Sequence, residues 1–177
     1  MVGKVSLSDQ MLTLPDVARH YSAVTAATYD FFSNPDPAML FAHPSLAGYI
    51  GLSVDVVRSK VLTEIDHISA LSALSCVEAV VRTDYLRRAY NKEKSKISRA
   101  LRAIYQVKEE RARLDDDLLL CWRDNSNVSN LLVGELIGAF RYRNWLAHGR
   151  YWTPKFGRRY DFSTVYPLAD AFLTSIC

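Results

Sequence analysis

An all-α helical bundle with an extra N-terminal helical segment is the fold class this sequence predicts. It rests on three observations. Apolar residues recur every three or four positions along most of the 177 residues. Seven glycines and six prolines are too few for a loop-rich β design. The apolar fraction of 49% and charged fraction of 23% are ordinary for a globular domain, and the length suffices for one buried core.

The elements follow in order. Residues 14–32 read as a first helix, with Leu14, Val17, Tyr21, Val24, Thr28 and Phe31/Phe32 on one side and Pro15 in the first turn. Asn34-Pro35-Asp36-Pro37 stops it. Residues 38–50 read as short helical turns broken by Pro44 and Gly48. A long helix is expected over 54–90, capped by Ser53 and striped by Val57, Val61, Ile65, Ile68, Leu71, Leu74, Val77, Val81 and Tyr85. A third helix is expected over 95–122, with a charged, solvated middle that includes Asp115-Asp116-Asp117. A fourth follows over 129–148 and ends at Gly149. A loop over 151–162 rich in Tyr, Trp and Arg leads to a last helix over 163–176. Residues 1–53 form a cap within the same domain, and 54–177 the bundle.

The net charge of +3 permits a nucleic-acid partner without requiring one. Cys76, Cys121 and Cys177 have no zinc or disulfide spacing, so no metal is expected. Cys76 and Cys121 fall in apolar patterns and read as buried. Unpaired cysteines, no leader pattern and no spanning apolar run predict a soluble, cytoplasmic chain with no membrane partner. His20, His43 and His67 lack metal spacing, and His67 beside Asp66 reads as a surface residue.

Usable chemistry concentrates in Arg143-Asn144-Trp145-Leu146-Ala147-His148-Gly149-Arg150-Tyr151-Trp152. Arginine offers phosphate a fixed fork of donors, and histidine moves protons near neutral pH. At about 100° per residue, Arg141, Asn144 and His148 share one face of the fourth helix, with Trp145 on the same side. Gly134, Ile137 and Gly138 continue that face, while Leu132, Leu136, Ala139 and Leu146 lie opposite. A helix apolar on both sides must be covered on both, so the two-glycine face is a candidate seam with a second subunit. Arg143 lies about 140° from His148 on an ideal helix, which leaves Arg141 and Arg143 as alternatives. Arginine and histidine at a helix end also serve simply as caps. Glu78, a carboxylate on an apolar stripe, needs a partner. It is either a motif-helix arginine, which it would orient, or Arg82 at i+4. Arg150, Tyr151, Trp152, Lys155, Arg158 and Arg159 interleave cations and aromatics that suit phosphates and bases.

The Arg143-Asn144-x3-His148 group in an all-α chain resembles the HEPN (higher eukaryotes and prokaryotes nucleotide-binding) domain family. That family is marked by Arg-x4–6-His, with a polar residue after the arginine. Arg141-x6-His148 also fits the loose spacing. The resemblance covers roughly residues 54–176. It implies a homodimeric, metal-independent endoribonuclease with a composite active site and no cofactor, acting as a toxin or defence effector against cellular RNA. An antitoxin or immunity partner would restrain it. Arg143 and His148, assisted by Asn144, would be catalytic, with Arg141, Glu78 and Tyr151 supporting or alternative. One toxin subfamily carries Arg-x4-His-x-Tyr. Here the tyrosine comes one residue later, as Tyr151, a departure from that subfamily, and the sequence looks nearer the HEPN type associated with RNA repair and defence. The alternative is a catalytically inactive HEPN module that binds RNA, a nucleotide or a partner protein.

Overall fold

A computed structural model describes residues 8, 10–33, 36, 38 and 42–176. The helix stop at Asn34, Pro35 and Pro37, part of the 38–50 turns, and Cys177 lie outside the described residues. Among the described residues the chain is all helical, with no strand. The α-helices are α1 (Leu14–Ser33), α2 (Val54–Tyr90), α3 (Lys96–Lys108), α4 (Leu120–Asn125), α5 (Asn130–Ala147) and α6 (Phe162–Ile176). A 3₁₀ turn at Pro44–Tyr49 precedes α2. No helix among the described residues is long and apolar enough to cross a membrane.

The spine is α2, whose 37 residues span about 55 Å. Ser53 caps it, its hydroxyl accepting from the Val56 N–H. Helices α1, α3, α5 and α6 pack on it. One continuous core joins Leu74, Val77 and Val81 of α2 to Leu101 of α3, Val133 and Leu136 of α5, and Val165 and Phe172 of α6. Leu14 and Val17 of α1 belong to that core. A smaller cluster of Phe32, Leu46 and Val57 closes the other end. Cys76 and Cys121 are buried, and burial pushes the Cys121 thiol up to about 11.

The expected helix over 95–122 is broken. It ends at Lys108, a 3₁₀ turn covers Glu109–Arg111, and a π-helical segment, Leu114–Leu119, runs into α4. The periodicity lapses here: after Ile104 the next fully apolar core position is Ala112. Glu109 takes the left-handed region at φ 49°, its carbonyl accepting from the Tyr85 hydroxyl at 2.7 Å. The bend lets Leu114, Leu118 and Leu119 reach the core. It also corrects the view of Asp115-Asp116-Asp117 as uniformly solvated. Asp117 is largely shielded, pairs with Lys108 at 2.5 Å and accepts the Arg113 N–H at 2.7 Å. These partners outweigh burial and hold its carboxyl below the usual range.

Candidate functional site

The motif sits at the C-terminal end of α5, where that helix crosses α2. His148 is the C-cap, its N–H bonded to the Asn144 carbonyl at 3.0 Å. Gly149 follows at φ 77° and Arg150 at φ 57°. The Gly149 N–H reaches the Leu146 carbonyl and the Arg150 N–H the Trp145 carbonyl, a Schellman ending in which glycine takes the left-handed position without strain. Arg150 has no such freedom. It is held by a bidentate pair to Glu64 of α2, at 2.5 and 3.0 Å.

Glu78 meets both of its expected partners. One carboxylate oxygen accepts from Arg82 Nε at 2.8 Å, and the other lies 3.1 Å from Arg143 Nη2. Arg141 is exposed and makes no ion pair among the described residues. The structure therefore selects Arg143 as the arginine that Glu78 holds. Arg143 Nη1 also donates to Asn144 Oδ1 at 3.4 Å, and its Nε is buried without a partner. The His148 side chain is exposed and has no hydrogen-bond partner among the described residues.

Helical geometry places the three in order. At about 100° per residue, Asn144 lies between Arg143 and His148, which are about 140° apart around α5. Trp145 follows about 60° beyond His148, and Tyr142 about 60° beyond Trp145. The glycine face is only half available. A Cβ on Gly138 would overlap the Tyr160 hydroxyl and come within 3.3 Å of Tyr160 Cζ, whereas Gly134 faces open space. The chain's own 151–161 segment covers Gly138, and this corrects the expectation that both glycines meet a second subunit. The stripe still open runs through Gly134, Ile137, Arg141, Asn144 and His148.

The cationic loop is also revised. Arg150, Arg158 and Arg159 are paired with Glu64, Glu135 and Asp161. Only Lys155 of the four expected RNA-binding cations has no ion pair among the described residues. Tyr151 is 83% exposed and stands edge-on to Trp152, ring centroids 4.7 Å apart.

His67 is not the surface residue its sequence context implied. It is half-buried, and its Nδ1 lies 2.6 Å from the Tyr142 hydroxyl. The pair borders a cleft of about 570 Å³ between α1, α2, α5 and the 154–161 loop. Burial first, then Asp66 and Asp161, push the Tyr142 phenol up to about 12. The sequence signal was present in the alternation of Tyr142 and Trp145 with an aromatic loop downstream.

No family model matches the chain, and no curated protein or solved structure does so. Fold and site together define a class: an all-helical bundle with an Arg-Asn-x3-His group at a helix end.

Proposed function

We propose that this protein is a HEPN-type, metal-independent endoribonuclease. The observation that carries the reading is Arg143, held by Glu78 and bonded to Asn144, on the same helix end that carries an exposed, unpartnered His148. In the reaction the RNA 2′-hydroxyl gives up its proton and attacks its adjacent phosphate, the P–O5′ bond breaks, and the leaving 5′-oxygen takes a proton, so that no net proton is consumed. His148 handles the proton transfer. Arg143 stabilises the charge on the pentacoordinate phosphorus, and Asn144 orients phosphate or imidazole. Glu78 is a positioning residue that fixes the guanidinium. Phosphates can displace the arginine–carboxylate pairs of the 150–161 loop, since exposed pairs contribute only about 0–1 kcal/mol. Tyr151 and Trp152 offer faces for base stacking. Purified protein should cut RNA in EDTA, and Arg143→Ala should not. Wild type that binds RNA without cutting it would instead make the chain a binding module.

Glu78→Ala is expected to act twice. It strips the carboxylate from two arginines, which costs about 1–3 kcal/mol in a denaturant melt, and it slows cleavage by loosening Arg143. An unchanged cleavage rate in folded variant would remove Glu78 from the machinery.

The proposal includes a homodimer in which two motifs share one cleft. The seam is the Gly134–Ile137–Arg141–Asn144–His148 stripe, whose alternating spacing of three and four suits helix against helix. Light scattering at micromolar concentration should read two chains per particle. A monomer would contradict the composite site. A toxin or defence role, with a restraining partner protein, completes the reading.

A further inference from the structure

The cleft between α1, α2, α5 and the 154–161 loop is lined by none of Arg143, Asn144 and His148. Its walls are aromatic: Tyr21 and Tyr29 from α1, Tyr142 and Trp145 from α5, and Phe156 and Tyr160 from the loop. These rings support one another, with Tyr142 stacked on both Trp145 and Tyr160 at centroid distances of 5.8 and 5.9 Å. Trp145 Nε1 donates to the Trp152 carbonyl at 2.8 Å, which ties the loop down over the helix. The volume of about 570 Å³ suits a small organic molecule.

The charges along the walls decide which kind. Arg58, Arg158 and Arg159 each already face a carboxylate, Asp55 at 2.7 Å, Glu135 at 2.6 Å and Asp161 at 2.9 Å. Asp66 is left over. Its Oδ1 accepts the Phe162 N–H at 3.0 Å, and it has no ion-pair partner among the described residues. Burial, which outweighs that hydrogen bond and the weaker pull of His67 and Arg159, pushes its carboxyl above the usual aspartate range, and Asp161 adds to the effect. A half-buried carboxylate held against its preference gains from a cation placed beside it. Aromatic faces attract the same charge.

We propose that this cleft binds a small organic cation, an ammonium, guanidinium or amidinium head on a flat or alkyl body. The head lies against Asp66 and the body between the rings. Bound there, the ligand rests on Tyr142, the residue preceding Arg143.

The test is calorimetric titration of the full chain with benzamidine, alongside benzamide and benzoate. Benzamidine should bind one per chain and about tenfold or more tightly than either control. Asp66→Asn keeps an acceptor for the Phe162 N–H and removes the charge, so it should erase most of that preference. Tyr29→Ala, at an exposed ring on the rim, should weaken benzamidine while leaving the melting temperature in place. Equal binding of benzamidine and benzamide, tighter binding of benzoate, no binding, or an Asp66→Asn chain that binds benzamidine as wild type does would each overturn the assignment. None of these outcomes bears on RNA cleavage, which is assayed separately.

Discussion

His148→Ala should lower the rate of RNA cleavage by about 10²- to 10⁴-fold, the range for loss of a general acid or base. The fold should be untouched. The side chain is exposed and makes no hydrogen bond among the described residues. The helix ending depends on the His148 main chain and on Gly149 at φ 77°, not on the imidazole. Stability should therefore change by no more than about 0.5 kcal/mol. That combination separates chemistry from capping. If arginine and histidine merely finish the helix, His148→Ala lowers the melting temperature and leaves RNA handling alone. A rate assay and a thermal melt on the same preparation distinguish the two.

Gly138→Ala should cost about 1–3 kcal/mol, as overpacking of a filled site does. The added Cβ overlaps the hydroxyl of buried Tyr160. Tyr160 cannot retreat freely, because it stacks on Tyr142 and meets Phe156 edge-on. Tyr160→Phe removes the colliding oxygen, so the double variant should recover much of the loss. A denaturant-melt cycle of the two single changes and the pair reads this directly. Additivity would show that Gly138 matters for some reason other than Tyr160. The same alanine at Gly134, which faces open space, should be neutral or stabilising in the monomer through helix propensity.

Legibility in the sequence followed the range of the interactions. Helices α1, α2, α5 and α6 announced themselves because their apolar stripes are local and periodic. The segment after Lys108 did not, because long-range burial of Leu114, Leu118 and Leu119 decides its path. The partners of Glu78 were foreseen as two competing options, since a buried carboxylate must be matched. A bidentate acceptor can take both, and only the crossing of α2 and α5 reveals that it does. Gly138 read as a seam because a small residue signals close approach. The sequence could not say that the approaching group was Tyr160, 22 positions downstream in the same chain. His67 looked like a surface residue because its own helix gives no hint of the loop folded over it. The ion pairs of Arg150, Arg158 and Arg159 were hidden for the same reason, as two of the three partners lie on α2 and α5.

The central claim is that this protein cleaves RNA by 2′-hydroxyl attack without a metal. The ends of the products made in EDTA test it most directly. The account predicts a 2′,3′-cyclic phosphate on one fragment and a 5′-hydroxyl on the other, with no cut where the scissile nucleotide is 2′-deoxy. Cleavage that stops with chelator, or fragments ending in 3′-hydroxyl and 5′-phosphate, would contradict it.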